Sequence, residues 1–151
     1  MDIDDIKEII SESISETFEA FLFAEVLDQD LSDEEMQKEI SDSSFLAVKQ
    51  TFEYEKRGYI NCYIPDSLME EAVDTLLMNE DQSKKEDLKI DCVLEFVNSI
   101  VGSIIGKIAG DDRVFNLGLP ELLKDKKIEC SNSLFFYKIN DEHMLIEIFF
   151  D

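Results

Sequence analysis

Tryptophan is absent from these 151 residues, and histidine occurs once. The lone imidazole, His143, excludes a His-centred catalytic triad and a multi-histidine metal site, and reads as a turn or strand-end residue. Cys62, Cys92 and Cys130 stand apart with no Cys-x-x-Cys spacing, as expected of buried thiols in a reducing compartment. Basic residues are scarce: 14 Lys and Arg stand against 36 Asp and Glu, a formal net charge of −22. Such a field repels nucleic-acid phosphates and anionic headgroups, and the basic clusters at Lys84–Lys85 and Lys124–Lys127 are too short to offset it. Neither nucleic acid nor membrane is an expected partner. Asp2, Asp4 and Asp5 occupy the place where a signal peptide would be basic, and no apolar run approaches about 20 residues, so a cytoplasmic location is expected. Also missing are a Gly-x-Ser-x-Gly elbow, a phosphate-binding glycine loop and a His-Glu-x-x-His pair. An autonomous hydrolase with its own nucleophile is therefore not expected, nor is a cofactor or metal of its own.

What is present supports a folded domain. Hydrophobic residues make up 44% of the chain and include 11 Phe, which a disordered acidic chain would lack. The length suits one domain, 1–151, able to bury a sizeable core. Ile3, Ile6, Ile10, Ile14, Phe18 and Phe21 recur at three and four, predicting an amphipathic helix over 3–26. Residues 28–42 are acidic and poor in large apolar side chains, and are expected to form a loop with at most a short helical turn. Two runs, 45–54 and 59–64, flank Gly58 as a hairpin. A helix follows Pro65 with Leu68, Met69, Val73, Leu76 and Leu77 as its stripe, and 79–86 is a polar connector. A short strand is expected over 113–117, and 128–139 with 144–150 should close as a hairpin around Asn140. The order αββααβββ gives an α+β fold: an antiparallel-rich sheet packed against long helices on one side.

The most strongly periodic stretch lies between. Ile90, Leu94, Val97, Val101, Ile104, Ile105 and Ile108 fall on one arc of a helix, widened by Val93 and Ile100. The narrow complementary arc carries Asp91, Glu95, Asn98, Gly102 and Gly106. Each interior glycine costs a helix roughly 1 kcal/mol relative to alanine, so local propensity does not explain them. Something is expected to approach that face closely, either a neighbouring element or a partner. Glu95 and Asn98, at i and i+3, direct a carboxylate and a carboxamide to one patch.

Asp91, three residues, Glu95, two residues, Asn98 and then the distant Pro120 resemble the signature of the CheC/CheX/FliY family of chemotaxis phosphatases. The likeness is closest to CheX, which carries one such site, and it extends over most of the chain. It implies a CheX-like fold and dephosphorylation of a CheY-type response-regulator receiver domain. By the resemblance Asn98 is catalytic and positions the attacking water, Glu95 pairs with a receiver lysine, and Asp91 and Gly102 border the contact. Magnesium is implied on the receiver partner. The competing reading is a non-catalytic CheX-like module that sequesters or scaffolds a receiver. Ser15, Glu19 and Leu22 repeat the motif's spacing with Leu in place of Asn, compatible with a degenerate second copy. Two departures stand out. The stretch from Asn98 to Pro120 is one residue shorter than the family's usual spacing, and the final hairpin is short where CheX relatives extend theirs to dimerise. A homodimer through an edge strand is left open.

Overall fold

The computed structural model describes residues 2–21, 26–29, 32–42, 44–77, 82–110, 113–124, 128, 134–139 and 141–151. Its first helix, α1 (Ile3–Phe21), is started by a reciprocal cap: Asp5 N donates to Asp2 Oδ1 at 2.9 Å and Asp2 N to Asp5 Oδ2 at 3.4 Å. It ends before the expected residue 26, and the chain then enters a strand, β1 (Val26–Gln29). A second helix, α2 (Asp33–Asp42), occupies most of the expected loop, with Glu35 N donating to Ser32 Oγ at 3.2 Å as its N-terminal cap.

The hairpin forms as expected from β2 (Phe45–Glu53) and β3 (Arg57–Pro65), followed by α3 (Asp66–Leu77), a short 3-10 turn and the long helix α4 (Lys85–Ala109). Two short strands come next, β4 (Asn116–Leu117) and β5 (Glu121–Leu123), the latter not expected from sequence. The closing pair is β6 (Leu134–Ile139) and β7 (Glu142–Phe150). The earlier part of the expected strand, 129–133 with Cys130, lies outside the described residues, as do Leu22, positions 125–127 and the turn residue Asn140.

All strands join one antiparallel sheet in the order β1-β6-β7-β3-β2-β4, with β5 also on the outer edge of β2. Gly58 lets β3 lie against β7, because a Cβ there would sit 1.9 Å from the Phe149 carbonyl oxygen. Side chains alternate across the sheet. Val48, Phe52, Ile60, Cys62, Ile64, Met144, Ile146 and Ile148 face the main core, which α1, α3 and α4 cover. The opposite face holds a smaller cluster of Ala47, Tyr63, Leu134, Phe136 and Leu145, against which Met36 and Ile40 of α2 pack. The expectation of helices on one side is thus corrected: the short helix α2 covers the far side.

Helix α4 is the centre of the core, burying Val93, Phe96, Val97, Ile100, Val101, Ile104 and Ile105. By length and composition it would suffice to cross a membrane, yet its apolar arc packs against the sheet and α1, and its other arc is polar. Neighbouring helices hold it through side-chain pairs. Ser103 Oγ donates to Ser13 Oγ at 3.0 Å, Lys107 Nζ reaches Glu16 at 2.9 Å, and Phe18 meets Phe96 edge-on at 4.6 Å. From α3, Asp66 pairs with Lys89 at 2.9 Å and Asp74 with Lys85 at 2.7 Å. Lys89 is only 6% exposed, and its hydrogen bond to Asp66 outweighs desolvation and holds its pKa above the ordinary lysine value.

Candidate functional site

Helical periodicity puts Asp91, Glu95, Asn98, Gly102 and Gly106 on one strip of α4, and the structure leaves that strip open. Asp91 and Glu95 are exposed, while Asn98, Gly102 and Gly106 are half-buried. From Asp91 to Gly102 the strip runs for about 16 Å at 1.5 Å per residue. A chain segment lies along its lower part. A Cβ on Gly106 would sit 3.5 Å from Phe115 Cε1, and one on Gly102 3.7 Å from Leu117 Cδ1. Both are ordinary van der Waals distances, so the chain's own packing leaves room for alanine at either position.

The segment from Phe115 to Leu117 therefore runs antiparallel to α4, advancing two residues over the turn from Gly106 to Gly102. This shared course follows from geometry, since two extended residues and one helical turn both span about 6 Å. It carries the chain from Gly106 past Gly102 toward Asn98, with Gly118, Leu119 and Pro120 following in sequence. Val114 and Leu119 stand out from it, 87% and 91% exposed.

The contact at Asn98 is polar and comes from β2. Gln50 Nε2 donates to Asn98 Oδ1 at 2.7 Å and to the Gly118 carbonyl oxygen at 2.8 Å. Gly118 is itself fixed to the same strand, its N–H donating to Thr51 O at 2.9 Å. Glycine fits here without adjustment, whereas a Cβ would meet Thr51 Oγ1 and require that side chain to move. Neither Gln50 nor Gly118 was expected at the site. The signal for Gln50 is nonetheless present: the inward positions of β2 read Leu46, Val48, Gln50, Phe52, one carboxamide interrupting an apolar series.

No thiol beside this patch is a ready nucleophile. Burial pushes Cys62 up to about 12, and partial burial, reinforced by the charge of Asp91, raises Cys92. Cys92 is partly rather than fully buried. Among the described residues no group of three or more His, Cys, Asp or Glu side chains is placed to hold a metal ion. The strip thus offers two exposed carboxylates, an anchored carboxamide and an apolar edge, which suits completing a partner's reactive centre more than building one.

The family model described as chemotaxis phosphatase CheX matches residues 47–139. The chain belongs to that family. The match runs from β2 into β6 and includes Asp91, Glu95, Asn98 and Pro120. No curated protein matches the sequence. Among solved structures, CheX of Desulfovibrio desulfuricans is similar at 13% identity over 97% of this chain and 99% of its own, with a TM-score of 0.71. A CheC-like superfamily protein from Shewanella sp. PV-4 is 15% identical over 100% and 99%, also at 0.71. CheX of Borrelia burgdorferi, solved in a complex with CheY, BeF3 and magnesium, is 14% identical over 95% and 96%, at 0.66. At these identities the likeness is one of fold, and it matches the CheX-like α+β architecture expected from the sequence.

Proposed function

We propose that this member of the CheX family accelerates hydrolysis of the aspartyl phosphate of a CheY-type receiver domain in chemotaxis signalling. The observation that carries this reading is the placement of Glu95 and Asn98 on the open strip of α4, with the Asn98 carboxamide anchored from the sheet behind it. Support comes from family membership and from the Borrelia burgdorferi relative, whose partner is CheY with magnesium and BeF3, a mimic of a phosphoryl group.

The receiver supplies the phosphorylated aspartate, its magnesium ion and its lysine. This chain supplies position. The open strip docks on the receiver, with Glu95 pairing with the lysine and Asp91 and Gly102 at the margins of the contact. Asn98 holds a water in line with the phosphorus–oxygen bond to the aspartate. The water oxygen bonds to phosphorus as that bond breaks, giving inorganic phosphate and the free carboxylate. Positioning and electrostatics account for most of the acceleration in such transfers, so one well-placed carboxamide is a sufficient contribution.

The test is the decay of a phosphorylated CheY-type receiver with substoichiometric amounts of this protein and of Asn98→Ala. Acceleration by the wild type and its loss in the variant are expected. Equal acceleration by both would remove Asn98 from the mechanism. Tight binding with no acceleration would favour sequestration over catalysis.

A further inference from the structure

We infer that Gln50 is a positioning residue that sets which way the Asn98 carboxamide faces, an inference that rests on the proposed role of Asn98. The argument begins at a group with no choice. The Gly118 carbonyl oxygen can only accept a hydrogen bond, and it is held in place by the Gly118 N–H bond to Thr51 O at 2.9 Å. Whatever part of the Gln50 side chain lies 2.8 Å from it must be a donor, so that part is Nε2. The orientation of Gln50 is thereby decided by chemistry rather than by the near-identical outlines of amide nitrogen and oxygen.

Nε2 carries two hydrogens, and the second one faces Asn98 at 2.7 Å. Only an acceptor satisfies it, so Asn98 turns Oδ1 inward and Nδ2 away from Gln50. A terminal amide torsion is broad and roughly two-fold, and this relay from Gly118 through Gln50 selects one of its two states. Asn98 then offers its two N–H donors, and one remaining lone pair of Oδ1, to whatever docks on α4. Gln50 reaches no solvent and acts through Asn98 alone, being 0% exposed.

The stability that these two hydrogen bonds contribute is partly cancelled. Gln50 Oε1 is buried and has no hydrogen-bond partner among the described residues, and an orphaned acceptor in an apolar layer is a cost. A methionine of similar volume between Val48 and Phe52 would remove that cost, while leaving the Gly118 carbonyl oxygen and Asn98 Oδ1 without their donor. Gln50→Glu does the reverse of what the site needs. The oxygen that takes the place of Nε2 must carry a proton for Gly118 O, and having no second hydrogen it can only accept from Asn98, which turns that amide round to present Nδ2.

The experiment measures saturation kinetics of receiver dephosphorylation for the wild type, Gln50→Met and Gln50→Glu, with thermal melts and side-chain amide hydrogen exchange on the full chain. Wild-type Gln50 amide hydrogens should exchange slowly and those of Asn98 fast. Both variants should lose on the order of 100-fold in kcat with KM little changed, and Gln50→Met, which loses two hydrogen bonds but also an orphaned acceptor, should stay folded and melt within a few degrees of the wild type. An active wild type with undiminished kcat in Gln50→Met overturns the inference and leaves the phosphatase reading standing. A wild type inert on receivers removes that reading instead, and the exchange pattern then decides the orientation alone: a protected Asn98 amide or a fast Gln50 amide overturns it.

Discussion

Two buried polar clusters occupy opposite faces of the same sheet. On the helix-covered face, Gln50 bridges Asn98 and Gly118 at 2.7 and 2.8 Å. On the far face, Glu147 accepts from Asn61 Nδ2 at 3.3 Å and from the Tyr63 hydroxyl. Each cluster leaves one amide oxygen without a partner among the described residues, Gln50 Oε1 and Asn61 Oδ1. The first ends at the open strip of α4. The second ends nowhere, since Tyr63, Asn61 and Glu147 are 0%, 3% and 6% exposed. Asn61 and Glu147 are direct cross-strand partners of β3 and β7, and a slip of either strand by one residue would turn its member of the pair into the apolar core. The far cluster therefore fixes register, while the near one orients a surface group. Burial and unmet hydrogen bonding do not by themselves mark a site; a connection to the surface does.

Substitutions can separate these two roles. The largest effect on activity is expected from Asn98→Ala, which should return receiver dephosphorylation to its unassisted rate while costing about 1 kcal/mol or less in chemical denaturation. Next is Gly118→Ala. Its Cβ collides with Thr51 Oγ1, so the variant should lose roughly 1–3 kcal/mol and much of its activity as the carbonyl leaves Gln50. Adding Thr51→Ala should restore both, because with Oγ1 gone the nearest neighbour of that Cβ is Thr51 Cβ at 3.5 Å, an ordinary contact. If the double variant stays inactive, the clash is not the cause.

Tyr63→Phe should cost about 1–3 kcal/mol by leaving Glu147 with fewer partners, with activity per folded molecule unchanged. Burial, and then the bond to Glu147, pushes the Tyr63 hydroxyl well above its ordinary pKa, so it stays a donor at neutral pH. A loss of kcat in this variant would merge the two clusters into one functional unit. The smallest effect is expected from Gly102→Ala, a stability gain of up to about 1 kcal/mol from helix propensity with weaker receiver binding by titration. Unaltered binding would assign Gly102 to the chain's own contact with Leu117.

The legibility of these features follows from how many residues encode each one. The strip of α4 and its apolar arc could be read because one period runs through 25 residues and averages out local exceptions. The hairpin was visible because Gly58 sits between two alternating runs. Helix α2 was hidden because its core contact rests on Met36 and Ile40 alone, although Ser32 and Glu35 spelled out its cap. Strand β5 has three residues and exists through pairing with β2, a tertiary fact. Gln50 escaped for the same reason: its meaning depends on Gly118, 68 positions away.

The course of the chain alongside α4 also bears on how family motifs are counted. Gly106 faces Phe115, Gly102 faces Leu117, and Asn98 reaches Gly118 through Gln50. These rungs tie the two segments together at fixed heights, so a change in the length of the link between Gly106 and Phe115 need not shift them. A residue lost from that link shortens the count from Asn98 to Pro120 without moving Gly118 relative to Asn98. A residue gained after Leu117 would lift Gly118 off its rung. Distance along the chain is elastic on one side of Phe115 and rigid on the other, so the shorter interval noted in the sequence is compatible with an unaltered site.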